Sequence, residues 1–106
     1  MDLEKNVKLI RMFELYGKSL TEKQQQVFDL YVLRDLSLKE VSDILNISRQ
    51  AVKFTMDNIE KTLIKFEDNM QICAKFDKIK RDLTEIEKLY KDNELKAKID
   101  KILEEL

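Results

Sequence analysis

An all-α fold is what this sequence predicts, and three observations carry it. The 106 residues include one Gly and no Pro, whereas strands joined by tight turns draw heavily on both. Charged residues make up 39% of the chain, with Leu, Lys, Glu, Ile and Asp dominant, a composition typical of helical proteins. Apolar residues recur at three- and four-residue steps, the repeat of a helix face. The expected architecture is a helix-turn-helix bundle followed by a long C-terminal helix or a helical hairpin.

The first helix is expected from Leu3 to Tyr16. Leu3, Val7, Ile10 and Phe13 form its apolar line, with Leu9, Met12 and Tyr16 widening it. Gly17 falls where a helix end favours positive φ. "TEKQ" announces the second helix: Thr21 can cap the first turn while Gln24 reaches back to the Thr21 amide. Val27, Phe28, Leu30 and Tyr31 supply its apolar side, as far as about Arg34. "SLKE" repeats the device, with Ser37 as cap and Glu40 as partner. Leu38, Val41, Ile44 and Leu45 face inward on a third helix of about two turns.

Asn46 comes next, a residue that tolerates the left-handed backbone of a sharp helix exit. Ile47 packs under the turn and Ser48 caps a fourth helix. Small Ser42 stands where the two helices approach closely. Two capping residues around so short a corner mark a helix-turn-helix. The fourth helix runs from Arg49 to about Met70. Val52, Thr55, Met56, Ile59, Leu63, Phe66 and Met70 fall on one stripe, and Gln50, Lys53, Phe54, Asp57 and Lys61 on the other side.

From Ile72 onward the pattern changes. Ile72, Phe76, Ile79, Leu83, Ile86 and Tyr90 alternate four- and three-residue steps, as in a coiled-coil seam. "KDNE" then breaks the phase before Leu95, Ile99, Ile102 and Leu106. Either one helix of about 50 Å continues with its seam rotated, or the chain folds back at Asp92–Asn93. Residues 1–70 therefore read as a helix-turn-helix domain, and residues 71–106 as a dimerisation or interaction segment.

Several function classes fall away. "MDLEKNVKLI" lacks the uninterrupted apolar stretch of a signal peptide, and no apolar run approaches the ~20 residues needed to span a bilayer. Cys73 stands alone, so an intrachain disulfide is impossible. It fits a buried thiol in a reducing cytoplasm. With no His, the commonest general base is missing. No Gly-rich phosphate loop or activated nucleophile is present. Neither an enzyme nor a cofactor or metal site is expected.

In a nucleic-acid reader, the front of the fourth helix would do the reading. Ser48 sets its start. Arg49 suits a guanine edge or a phosphate, Gln50 an adenine, Lys53 a phosphate and Phe54 a thymine methyl. The charge balance restrains that reading, because the whole chain has a net charge of −1. Between Arg34 and Lys65, the basic residues Arg34, Lys39, Arg49, Lys53, Lys61 and Lys65 nearly cancel against Asp35, Glu40, Asp43, Asp57 and Glu60. Specific DNA binding commonly draws on 6–10 phosphate contacts. One copy would bind weakly, and two copies would double the footprint.

Leu15 to Val52, with "LTEKQ", "LYVLRDLSLKEVS" and "SRQAV", resembles the YlxM-like proteins of low-GC Gram-positive bacteria and mycoplasmas. Leu20 to Leu63 also resembles the fourth region of primary sigma factors, which reads a promoter element. The resemblance implies a sigma-like helix-turn-helix without a wing, association as a homodimer, and Arg49, Gln50 and Lys53 in the reading role. It also implies a regulatory protein whose gene neighbours tie it to the signal recognition particle, with that particle's RNA or GTPase as partners beside DNA. This chain carries Phe54 and Met56 where the family is more polar. A protein adaptor, or an RNA-associated factor using Lys75, Lys78, Lys80 and Arg81, is the alternative.

Overall fold

The computed structural model describes the backbone from Leu3 to Leu106 and side-chain surroundings from Lys5 onward. The side chain of Leu3, placed above in the first apolar line, lies outside the described residues. Among the described residues six α-helices follow one another: α1 (Leu3–Tyr16), α2 (Glu22–Phe28), α3 (Leu38–Leu45), α4 (Arg49–Met70), α5 (Ile72–Leu89) and α6 (Asn93–Glu105). No strand occurs among the described residues. The fold is all-α, with α3 and α4 forming the helix-turn-helix. The chain divides into two compact units, one ending at Met70 and one running from Gln71 to Leu106. No described helix is long and apolar enough to cross a membrane.

In the first unit, α1, α2 and α3 all pack on α4. Val27, Phe28, Val41, Val52, Ile59 and Leu63 are fully buried. On α1, Leu9 and Tyr16 are buried, Ile10, Met12 and Phe13 half-buried, and Val7 lies outside the covered face. Val7 is 60% exposed, because at about 100° per residue it lies nearly opposite Leu9. Tyr16 stacks on Phe66 at 5.7 Å between ring centroids, and its hydroxyl donates to Glu67 Oε1 at 2.6 Å. These contacts fasten the end of α1 to the last turns of α4.

Gly17 does not take positive φ; the left-handed residues are Asp35, Asn46 and Gln71. The chain instead tightens into a 3₁₀ turn, Gly17–Ser19. The reason for glycine is steric. A Cβ there would lie 3.0 Å from Phe13 Cδ2 and Cε2, and the Phe13 ring is stacked on buried Phe28 at 4.1 Å. Replacing a helical-φ glycine with Ala ordinarily stabilises a protein by up to about 1 kcal/mol. Gly17→Ala should do the reverse, costing about 1–3 kcal/mol as the stacked rings are forced apart. Urea denaturation followed by circular dichroism measures the sign.

The second helix was expected to run unbroken to Arg34. It is regular only to Phe28 and then widens into a π turn, Asp29–Leu33. The Arg34 amide donates to the Asp29 carbonyl at 2.9 Å and the Leu36 amide to the Leu30 carbonyl at 3.1 Å. The wider turn lets Val32 join Val27 and Phe28 inside, while Tyr31 is half-buried. Asp35, with φ 55°, then turns the chain into α3.

In the second unit, α5 and α6 form an antiparallel hairpin rather than one continuous helix. Asp92 decides the break. Its Oδ1 accepts from the Glu94 and Leu95 amides at 2.9 and 3.2 Å, satisfying the open end of α6. Ile99 is buried.

Candidate nucleic-acid interface

The corner is built from short-range hydrogen bonds. Ser37 and Glu40 close a reciprocal capping box on α3 at 3.0 and 3.1 Å, and Thr21 and Gln24 do the same for α2 at 3.0 and 3.1 Å. Asn46 leaves α3 in the left-handed region, φ 55° and ψ 47°. The Ile47 amide donates to the Ser42 carbonyl at 3.1 Å, while Ser42 Oγ donates to the Ile47 carbonyl at 2.6 Å. Both polar groups of Ile47 are therefore tied to one residue of α3. Ser48 Oγ then accepts from the Ala51 amide at 3.0 Å, which starts α4.

Beneath the corner, Val41 and Val52 are fully buried and Leu38, Leu45 and Ile47 half-buried. Ile44, expected inward, is 59% exposed. It sits about 100° around α3 from Leu45, off the line that Val41 shares with Leu38 and Leu45. Val52, Met56, Ile59 and Leu63 anchor one face of α4 in the core, with Thr55 and Phe66 half-buried and Met70 exposed at the end.

That anchoring turns the other face outward. Arg49, Gln50, Lys53, Phe54 and Asp57 are all exposed, as is Ser48. Among the described residues, neither Arg49 nor Lys53 is held in an ion pair. Lys53 and Asp57 border a hollow of about 340 Å³ shared with Lys5, Asn6, Tyr31 and Glu60. Lys5 Nζ reaches Glu60 Oε1 at 2.9 Å, so a lysine of α1 offsets one of the acids counted against this face. Arg34 is likewise occupied, its Nε lying 3.1 Å from Asp29 Oδ2. These two pairings span helices or a π turn, and no sequence spacing announced them.

The start of α4 also departs from local helix electrostatics. The first turns of α2, α3 and α6 hold Glu22, Glu40 and Glu94, which suit the positive end of a helix dipole. α4 has no acid there and opens on Arg49. A cation at that end opposes the dipole, costing about 0.3–1 kcal/mol, but it concentrates positive potential at one exposed point. Phe54 is 68% exposed, leaving on the order of 100 Å² of aromatic surface in water.

The same corner unites the chain with a family. Residues 3–103 match the profile of UPF0122, described as "Putative helix-turn-helix protein, YlxM / p13 like". The chain belongs to this family. A UPF0122 protein of Thermoanaerobacter sp. strain X514 is 36% identical over 102 residues, covering 90% of this chain and 87% of that one. A UPF0122 protein of Bacillus thuringiensis is 34% identical over 92 residues, covering 87% and 84%. A UPF0122 protein of Mycoplasma capricolum is 40% identical over 73 residues, covering 69% and 65%. The UPF0122 match takes in the sequence of both units as far as residue 103. The family description names a helix-turn-helix protein and no catalytic activity.

The predicted seam of the second unit is only partly covered. Ile72, Phe76 and Leu83 are half-buried, but Ile79 is 43% exposed, Ile86 38% and Tyr90 62%. Ile102 on α6 is 43% exposed. The seam is therefore covered only in part, and Ile79 and Ile86, seven residues apart, lie on an open line.

Proposed function

We propose that this chain is a regulatory nucleic-acid-binding protein that lays the start of α4 in a DNA major groove. One observation carries the reading. Arg49, Gln50 and Lys53 stand exposed on α4 while the opposite face of the same turns is fixed in the core by Val52 and Met56. A rigid helix with a polar front directed outward is the geometry that major-groove reading requires. Arg49 and the end of the helix dipole attract phosphate, Gln50 offers an amide for adenine, and Lys53 meets the backbone. The protein would act in the cytoplasm and needs no cofactor for this task.

Two copies would bind together. A unit of 36 residues, Gln71–Leu106, is below the size at which a core stands without help. Its uncovered Ile79, Ile86 and Ile102 would pack on those of a second copy. The same open line favours a second reading, in which a helical surface docks on the GTPase of the signal recognition particle, with Lys75, Lys78, Lys80 and Arg81 available to its RNA.

Fluorescence anisotropy against random-sequence duplex DNA at two salt concentrations tests the first reading. Affinity should fall steeply as salt rises, since each phosphate contact releases counterions. Binding that ignores salt, or appears only with the particle's RNA or GTPase, would reject it. Asp57 is the acid left on the reading face. Asp57→Asn should therefore tighten DNA binding a few-fold, more at low salt than at high, because screening shortens the range of its repulsion.

A further inference from the structure

We infer that Phe54 makes α4 a reader of thymine methyl groups, so that Gln50 and Phe54 together select A·T-rich sites. The inference rests on the nucleic-acid reading of α4 and adds its base preference. Phe54 is 68% exposed in the second turn of a helix whose other large side chains near it are buried or polar. Gln50 lies one turn before it, Lys53 beside it and Asp57 nearly one turn after it, all exposed.

A surface built for protein contact surrounds an aromatic anchor with apolar neighbours and keeps charge at its edge. Here the ring's neighbours on the same side of α4 are Gln50, Lys53 and Asp57, all exposed. The next exposed large apolar residue on α4 is Ile64, ten residues and about 15 Å along. On α4, an apolar ring set between hydrogen-bonding side chains matches one feature of a DNA groove. The thymine C5-methyl is the apolar group on the major-groove edges, set among donors and acceptors.

Spacing adds a second constraint. Gln50 and Phe54 share a face four residues apart, about 6 Å along the axis. Base pairs rise about 3.4 Å each, so a helix following the groove places the two side chains about two base pairs apart. Gln50 pairs with the N6 and N7 edge of adenine, and Phe54 covers a methyl two steps on.

The experiment begins with the full chain and a random-sequence duplex pool. The sequence enriched by binding is resynthesised with deoxyuridine replacing each thymidine in turn, which removes the methyl and keeps the pairing. At one position, the wild type should bind about fourfold more weakly, the worth of one buried methyl. Phe54→Ala should show no such sensitivity there, and Phe54→Leu should retain part of it. Enrichment with no methyl-sensitive position, or equal sensitivity in Phe54→Ala, overturns the inference and leaves the DNA reading standing. Binding to the pool without enrichment of any sequence overturns the inference alone, and failure to bind the pool at all overturns both. Loss of self-association in Phe54→Ala with unchanged DNA binding overturns the inference in favour of a protein contact.

Discussion

Phe28→Ala should lower the free energy of unfolding by about 3–5 kcal/mol. Phe28 is fully buried, its ring lies 4.1 Å from that of Phe13 at an interplanar angle of 10°, and the π turn begins at the next residue. Removing it leaves a ring-sized void and takes away the surface against which Phe13 is stacked. That stack is also what excludes a side chain at position 17. Domains of this size commonly hold 5–15 kcal/mol in all, so the loss consumes a large share of the total. Urea denaturation of wild type and variant gives the difference directly. A change below 1 kcal/mol would mean that Phe28 is not at the centre of the first unit. Because Phe28 is remote in sequence from α4, the variant also asks whether the presentation of Arg49 depends on the core beneath it.

Arg49→Ala combined with Lys53→Ala should have the largest effect on binding. An arginine that grips a base edge bidentately contributes about 1–3 kcal/mol, roughly 5- to 150-fold in affinity. A lysine on a phosphate lowers the steepness of the salt dependence by about one unit when it is removed. The two losses are separable. Arg49→Ala should reduce the preference for an enriched sequence over random DNA. Lys53→Ala should weaken both alike and flatten the salt plot. Both residues are exposed and outside the core, and Ala is the best helix former, so far-ultraviolet circular dichroism and the urea midpoint should barely move. Unaltered affinity in the double variant would remove α4 from the interface.

What the sequence disclosed was local. Both capping boxes, the left-handed turn at Asn46 and the cap at Ser48 depend on residues within five positions of one another, and each is in place. The buried stripe of α4 was legible for the same reason, because Val52, Met56, Ile59 and Leu63 repeat at the helical period. What stayed hidden depends on distant partners. Gly17 suits a turn on composition alone; the ring of Phe13, held by Phe28, is the actual cause. Val7 and Ile44 are apolar yet exposed, and only the direction of the neighbouring helices reveals which edge of a broad stripe is covered. The Lys5–Glu60 pair joins residues 55 apart, so the count of charges near α4 could not show which acid was already matched. "KDNE" fits either a helix interior or a break, since Asp92 caps only if the chain turns.

The π turn of Asp29–Leu33 has a bearing on how this architecture tolerates insertion and deletion. Such a turn holds one residue more than a regular helix would need to cover the same advance. Deleting a single residue there would restore a regular helix and leave the residues beyond it facing as they do now, whereas the same deletion in a regular turn would rotate them by about 100°. Asp35 would then keep its exit, and α3 and the front of α4 their direction. The residue count of this stretch can therefore fall by one without re-aiming the front of α4.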